Sequence, residues 1–232
     1  DTKTIGGDGL AAYTTEPKLK DGVVTREDGP SETLNDKILR PLSDPFQPTG
    51  GLRELKGNIG RAVMKISAVA PEHRVIEAPA RIFHSQQAVK DAFKDGDLSE
   101  DCVVVVRFQG PKSNGMPELH GLTPALSVMQ GRGQKVALVT DGRMSGASGK
   151  VPAAIHLAPE AADGGDIAKL RDGDMLRVDA ERGVLEVLEA DFASRTPVNV
   201  DLSDNASGLG RELFDVFRNN CGMSSDGASP IV

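Results

Sequence analysis

The sequence contains no tryptophan, and aromatic residues make up only 3 % of its 232 positions. The core must therefore consist mainly of Val, Ile, Leu and Ala. Proteins that bind single-stranded nucleic acid stack the bases on aromatic side chains, so a function of that kind is not expected. The net charge of −7 and the absence of a concentrated basic stripe also argue against a general DNA- or RNA-binding surface.

Long apolar runs are missing as well. No stretch is long enough to cross a bilayer as a helix, and the N-terminus has no charged-then-apolar targeting signal, so we expect no membrane role. Cysteine is scarce: Cys102 and Cys221 lie far apart and show no CxxC spacing. These two residues alone cannot hold a zinc ion or an iron–sulfur cluster. A disulfide between them is one alternative, but reduced thiols in a cytoplasmic protein are favoured.

The remaining composition is that of a globular protein, because no residue type dominates. The first part of the chain is rich in Gly, Thr, Pro, Asp and Lys and lacks sustained periodicity. We predict an extended N-terminal arm or linker over 1–50, with one short helix near 31–39. Regular structure is predicted over 51–232. Because the chain starts with Asp1 rather than Met, we expect a fragment or a processed product.

Periodicity from residue 51 onward predicts a mixture of strands and helices. The predicted strands are 62–66, 74–83, 102–108, 135–140, 152–157, 175–179 and 184–188. The predicted helices are 86–94, 117–129 and 208–219. A regular alternation of strand and helix does not continue beyond residue 150, so the pattern indicates a β-rich α/β or α+β domain. We expect a partly closed barrel with helices outside.

The strand at 135–140 runs directly into a loop of Gly, Ser and charged residues, 141–150. This loop does not match the phosphate-binding pattern GxxxxGK, because Met144 stands where the first Gly is required. The nucleophile pattern GxSxG also fails at Ser145, since Arg143 stands two positions before it. What remains is a hydroxyl group in a Gly-rich turn after a buried strand. Two interpretations stay open: a structural turn and a ligand-binding loop.

A second loop, after another buried strand, carries Glu118 in a Met-Pro-Glu sequence. The acid either suits the N-terminus of a helix or is a metal ligand that needs partners, of which Asp141 is the nearest plausible one. Lys112 and Lys150 place positive charge on the two loops, which suits an anionic ligand, although a solvated lysine is the simpler interpretation of each. His156 follows the serine loop and is a candidate to line a cleft.

Four segments carry a resemblance to a known family: GNIGRAVMK (57–65), VVRFQGPKSNGMPELH (105–120), LVTDGRMSGASGK (138–150) and VPAAIH (151–156). Together they resemble the C-terminal part of the dihydroxyacid dehydratase/6-phosphogluconate dehydratase family, over essentially the whole chain. The details QGPKSNGMPELH and SGASGKVPAAIH look like the phosphogluconate branch. The dihydroxyacid branch tends to have Gly-Pro-Gly before its Met-Pro-Glu and a Thr-rich serine loop.

The resemblance implies a swivelling β/β/α, barrel-like fold for 51–232 and a dehydratase activity. Family members remove water from a 2,3-dihydroxy acid and give a 2-keto acid by way of an enol. An iron–sulfur cluster acts as Lewis acid on the leaving hydroxyl group, and a magnesium ion binds the carboxylate end. The implied substrate is 6-phospho-D-gluconate, converted to 2-dehydro-3-deoxy-6-phosphogluconate in the Entner–Doudoroff pathway. Another sugar acid, or a dihydroxy acid of branched-chain amino-acid synthesis, is the alternative.

Mapped onto this sequence, the resemblance implies that Ser145, as an alkoxide, is the base that removes the C2 proton. It implies that Glu118 is a ligand of the magnesium ion. The contacts to the phosphate of the substrate are not fixed by the resemblance. We expect them from residues on and beside the two loops: Lys112, Ser148, Lys150 and His156.

The family's cluster-ligand cysteines and its other magnesium ligands lie in an N-terminal domain that this sequence does not contain. We therefore expect an isolated C-terminal domain, with no cluster ligand in the chain and with residues 1–50 leading from the missing domain. Such a domain should lack dehydratase activity, whereas the full-length enzyme is expected to be a cytoplasmic homodimer. The competing hypothesis is a binding or assembly module without catalysis.

Overall fold

The computed structural model describes residues 3–145 and 149–231 of the protein. The chain divides into two compact units, 1–49 and 50–232, which are described separately below. That the first unit leads from a further domain stays a prediction. Ser148, one of the expected phosphate contacts, lies outside the described residues.

The first unit contains short antiparallel β-structure. Its strands are Lys3–Thr4 (β1), Gly7–Asp8 (β2), Thr15–Lys20 (β3) and Val23–Asp28 (β4). β1 pairs with β2, and β3 forms a hairpin with β4. The helix predicted near 31–39 is wrong, because this stretch forms turns. Its apolar side chains Leu34 and Ile38 are exposed, so no packed face offsets the cost of helix nucleation.

The second unit is built around a closed barrel of eight strands within the described residues. The strands are Leu52–Gly57 (β5), Gly60–Lys65 (β6), Val75–Phe83 (β7), Cys102–Val106 (β8), Val136–Thr140 (β9), Ala153–Ala158 (β10), Met175–Asp179 (β11) and Val184–Val187 (β12). Their order around the barrel is β10-β6-β5-β12-β11-β7-β8-β9. The predicted β-rich, barrel-like α/β fold is confirmed.

Strand direction divides the barrel into two parts. β7, β8, β9 and β10 run parallel to one another. The pairs β11–β12 and β5–β6 are antiparallel, and so are the pairs that join them to the parallel part, β11–β7 and β10–β6. β12 meets β5 through the pairing of Val184 with Lys56, which closes the barrel. The carboxyl ends of the parallel strands consequently lie at one edge, where ligands commonly bind in open α/β sheets.

The α-helices among the described residues lie in the second unit. They are Gln86–Asp95 (α1), Pro111–Asn114 (α2), Thr123–Gly131 (α3) and Asp215–Asn220 (α4). α1 forms as predicted: the hydroxyl oxygen of Ser85 accepts the Ala88 N–H at 3.1 Å, and Gly96 ends the helix with φ of 87°. None of the helices in 3–145 and 149–231 is long and apolar enough to span a bilayer.

Two predicted helices are shorter than their patterns suggested. The helix expected from residue 117 begins only at Thr123, because Glu118 instead forms an isolated parallel bridge with Arg143. The helix expected over 208–219 begins only at Asp215, after a 3₁₀ turn. Leu209, with φ of 55°, lies in the left-handed region and cannot continue a right-handed helix.

Two apolar layers use the opposite faces of the central strands, which are buried along their full length as predicted. Val103 and Val105 of β8 face the barrel interior, whereas Val104 and Val106 face the helices outside. This alternation follows from the two-residue period of a strand. The outer layer is completed by side chains of α1 and α3, such as Leu126. The helices are thereby held against β8 and β9, beside the edge where the strands end.

Barrel closure can be tested at Gly57. A β-carbon at this residue would overlap the backbone carbonyl of Leu185 in the neighbouring strand β12. Gly57→Ala should therefore lower the free energy of unfolding by about 1–3 kcal/mol, as overpacking does, measured by urea denaturation.

The matched control is Gly131→Ala at the end of α3. Among the described residues, no heavy atom beyond its chain neighbours and the backbone of its own helix lies within 4 Å of its new β-carbon, and alanine is favoured over glycine in helices. This variant should be as stable as the unmodified protein or slightly more so. Equal stability of the two variants would contradict the closed seam between β5 and β12.

Candidate active site

The candidate site lies where the parallel strands β8, β9 and β10 end. Three loops leave the barrel at this edge: 107–122 after β8, 141–152 after β9, and the segment from residue 159 after β10. The predicted residues Glu118 and Ser145 lie on the first two of these loops. Their positions are set by carboxylate groups that accept hydrogen bonds from backbone N–H groups.

Asp141, at the end of β9, is fully buried. Its carboxylate accepts the N–H groups of Phe108 at 3.0 Å, Gln109 at 2.9 Å and Ala161 at 3.0 Å. One side chain thus ties the β9 loop to the loops after β8 and β10. Burial raises the pKa of this carboxyl group to about 6, although the N–H bonds favour its charged form. This arrangement does not fit the alternative that Asp141 is a metal ligand.

Glu160, directly after β10, is a second buried carboxylate. It accepts the N–H groups of Lys112 at 2.8 Å and Ser113 at 3.0 Å and the Ser113 hydroxyl at 2.5 Å. A β-carbon at Gly110 would overlap the Glu160 side chain, so glycine is required before α2. Sequence reasoning missed Glu160, whose only signal was a single acid after an apolar strand.

Glu118 joins the two predicted loops directly. Its Oε1 atom accepts the backbone N–H of Ser145 at 2.7 Å and that of His120 at 3.0 Å. Its Oε2 atom accepts a bond from Nη1 of Arg143 at 3.1 Å. The main chains also meet, because the N–H of Leu119 donates to the carbonyl oxygen of Arg143 at 3.1 Å. The carboxylate therefore lies next to the candidate base.

Ser145 is exposed at the end of the described part of its loop, where a ligand can reach it. The cation beside it, Arg143, was not selected from the sequence. Its Nε atom donates to the carbonyl oxygen of Met116 at 2.7 Å, and Met116 has a φ of 53°. The only sequence signal for Arg143 was its place two residues before the serine.

The expected phosphate contacts differ in their surroundings. Nζ of Lys112 lies 2.8 Å from Oδ1 of Asp163, and this bond raises the pKa of the lysine. Lys150 is exposed on the serine loop. His156 is half-buried, and both burial and the positive charge of Arg143 lower its pKa. The imidazole is therefore neutral at neutral pH, which suits a hydrogen bond better than an ion pair.

The described residues hold few metal ligands. No group of three or more His, Cys, Asp or Glu side chains able to hold a metal ion occurs in 3–145 and 149–231. Glu118 can still supply one oxygen ligand, because a carboxylate oxygen accepts two bonds and magnesium often takes one or two protein carboxylates.

The two cysteines do not fit an iron–sulfur cluster. Both are free and buried, in agreement with the preferred interpretation of reduced thiols. Cys102 lies in the apolar layer under the helices, where burial raises the pKa of its thiol to about 11. Sγ of Cys221 lies 3.2 Å from the carbonyl oxygen of Arg218. Cluster ligands are thiolates, and neither residue is placed to be one.

Comparison with known proteins finds a matching family and several similar proteins. The sequence profile described as dihydroxy-acid/6-phosphogluconate dehydratase C-terminal matches residues 37–228. A phosphogluconate dehydratase of Pseudomonas aeruginosa is 57 % identical over 98 % of this chain, and one of Escherichia coli is 52 % identical over 100 % of this chain. A dihydroxy-acid dehydratase of Sulfurisphaera tokodaii is 47 % identical over 66 % of the chain.

The match covers only part of these relatives. This chain spans 38 % of the Pseudomonas protein, 39 % of the Escherichia protein and 27 % of the Sulfurisphaera protein.

The role of Asp141 can be tested through the pH dependence of stability. Its pKa rises from an ordinary value of 3.8 to about 6 on folding, so between these values the folded state binds more protons than the unfolded state. The contribution of Asp141 to the free energy of unfolding must therefore fall as pH rises from about 4 to about 6. Asn at this position does not titrate.

The unfolding free energy of the wild type minus that of Asp141→Asn should therefore decrease from pH 4 to pH 6 and stay constant above it. Urea denaturation at intervals of half a pH unit measures this difference. A difference that is flat or that increases over the same range would contradict the buried position of the carboxylate.

Proposed function

This chain belongs to the dihydroxy-acid/6-phosphogluconate dehydratase family, and from that membership we propose that it is the C-terminal part of a hydro-lyase acting on 6-phospho-D-gluconate. The product is 2-dehydro-3-deoxy-6-phosphogluconate, as in the Entner–Doudoroff pathway. The observation that carries the proposal is the identity of 50 to 57 % to proteins named phosphogluconate dehydratase, over 98 % or more of the chain.

Ser145 is the proposed base that removes the proton from C2 of the substrate. A serine hydroxyl is a weak base and can serve only where neighbouring groups stabilise its anion. The positive charge of Arg143 lies two residues away along the chain, bound to the same Glu118 carboxylate that accepts the Ser145 N–H. The Glu118 carboxylate holds the backbone of Ser145 in place. Because Ser145 is exposed, the substrate can reach its hydroxyl group.

Glu118 is the residue of this chain that would hold a magnesium ion. When bound, the ion supplies stabilisation of the negative charge that develops on the enolate. We propose that the remaining magnesium ligands and all ligands of an iron–sulfur cluster come from outside this chain. The partner that we propose for them is the part of the enzyme corresponding to the unmatched length of the relatives.

The substrate is anionic at both ends, and we propose Lys150, Ser148 and His156 as contacts to its phosphate. Lys150 and Ser148 share the loop of the proposed base. Lys112 can take part only if it leaves Asp163, to which it is bound in this structure. A neutral His156 can donate one hydrogen bond to a phosphate oxygen.

Residues 3–49 support a further contact of this chain. They expose several large apolar side chains, including Ile5, Leu10, Leu34, Ile38 and Leu42, and unpaired apolar surface of this kind marks interaction sites. We propose that this apolar surface packs on the rest of the enzyme. We place the enzyme in the cytoplasm as a homodimer.

Another sugar acid or a branched 2,3-dihydroxy acid is the alternative substrate, supported by the Sulfurisphaera relative named dihydroxy-acid dehydratase.

The base assignment is tested by Ser145→Ala in the full-length enzyme. Loss of a general base lowers turnover by about 10²- to 10⁴-fold, so kcat should fall by at least about 100-fold. The visible absorption spectrum of the cluster should not change. The control is Ser99→Ala, an exposed serine before β8 and therefore at the opposite end of the parallel strands, which should keep full activity. A Ser145→Ala enzyme with more than a tenth of the normal kcat would contradict the assignment.

The substrate is tested by comparing kcat/KM for 6-phosphogluconate, gluconate and 2,3-dihydroxyisovalerate in the same enzyme. A phosphate that contributes charged hydrogen bonds should raise kcat/KM for 6-phosphogluconate over gluconate by more than about tenfold. Preference for dihydroxyisovalerate would support the alternative substrate. Absence of turnover on every sugar acid, with cluster and magnesium present, would favour the binding or assembly module.

A further inference from the structure

The contacts of Arg143 do more than place a positive charge beside the proposed base. Its guanidinium group bridges the two loops of the candidate site: Nε donates to the carbonyl oxygen of Met116 at 2.7 Å and Nη1 donates to Oε2 of Glu118 at 3.1 Å. The side chain is 50 % exposed, so the bridge lies at the surface of the site. A surface ion pair of this kind contributes little to overall stability.

Three donors orient the Glu118 carboxylate, and together they bind both of its oxygen atoms. The N–H groups of Ser145 and His120 bind Oε1, and the guanidinium of Arg143 binds Oε2. Within 3–145 and 149–231, the charged donor to Oε2 is Arg143, and its removal leaves that oxygen without this bond. The carboxylate can then rotate about its last side-chain bond, and the bond from Ser145 weakens.

We propose that Arg143 is a positioning residue for the proposed base: it fixes the Glu118 carboxylate and, through it, the backbone of Ser145. This inference rests on the proposed function for its effect on turnover, but the contacts themselves do not depend on it. Arg143 acts through Glu118 and the carbonyl group of Met116. The guanidinium fork suits this role because its Nε and Nη1 atoms, held in one plane, donate to two acceptors on the neighbouring loop.

Removing the Arg143 side chain should not unfold the loops. The backbone bond from the N–H of Leu119 to the carbonyl oxygen of Arg143 remains in any variant at this position. The bonds of the buried Asp141 carboxylate to Phe108 and Gln109 also remain. An effect of the substitution can therefore be assigned to the position of the site residues rather than to loss of the fold.

The first test measures amide hydrogen exchange of the Ser145 N–H by NMR in this chain and does not require activity. Arg143→Ala should speed the exchange of this amide at least about threefold, and Arg143→Lys should give an intermediate rate. The control is Arg182→Ala, an exposed arginine between β11 and β12, which should leave the rate unchanged. An unchanged rate in Arg143→Ala would overturn the proposal.

The second test measures kcat and KM of the same variants in the full-length enzyme. A displaced catalytic group can cost about 100-fold in rate, so Arg143→Ala should lower kcat by about 10- to 100-fold and leave KM within about twofold. Arg143→Lys should recover part of the loss. A loss confined to KM would make Arg143 a substrate contact and overturn the positioning role.

The two tests separate this proposal from the proposed function. If Ser145→Ala keeps its activity while Arg143→Ala speeds exchange of the Ser145 amide, the base assignment fails and the positioning of the loop by Arg143 stands. If Ser145→Ala is inactive while Arg143→Ala changes neither the exchange rate nor kcat, the function stands and the positioning role is wrong.

Discussion

Hydrogen bonds from backbone N–H groups to buried carboxylates hold together the edge of the barrel on which the candidate site stands. The loops that leave β8, β9 and β10 carry N–H groups that the strand ladders no longer satisfy, and buried groups of this kind need acceptors. Asp141 supplies acceptors for two of these loops at once, because its carboxylate lies between Phe108 and Ala161. Glu160 continues the arrangement to α2, and Glu118 extends it to the serine loop.

This arrangement explains how an exposed serine can have a defined position. Ser145 lies on the surface, but the residues that fix its loop range from fully buried, Asp141, to one-third exposed, Glu118. Burial of the Asp141 carboxylate carries a desolvation cost, which raises its pKa. The same side chain ties its own loop to the loops after β8 and β10. A site assembled in this way leaves the reacting hydroxyl open to a ligand while its backbone stays in place.

Much of the fold could be predicted from the sequence, because it depends on local pattern. Helix α1 and the strands β8, β9, β11 and β12 all lie where the pattern predicts them. β5 was missed, since its sequence LRELKG alternates charge with only two leucines. The helix start predicted at residue 117 was wrong because it depends on a non-local contact, the bridge between Glu118 and Arg143, that periodicity does not contain.

The site was predicted less completely than the fold. Ser145 and Glu118 were singled out on their loops, and the resemblance gave them roles; they lie together, but their chemical roles remain proposals. Glu160 and Arg143 were missed because each acts on a loop distant in sequence, Glu160 on residues 47 to 48 positions earlier and Arg143 on residues 25 to 27 positions earlier. A pairing over such a distance leaves no local signal in one sequence.

The central claim is that Glu118 and Ser145 work as one unit. The most direct test is a double-mutant cycle in the full-length enzyme, with kcat/KM measured for Ser145→Ala, Glu118→Ala and the double variant. Residues that act together are strongly non-additive, so the double variant should be no slower than the slower single variant by more than about threefold. Losses that multiply in the double variant would contradict the account.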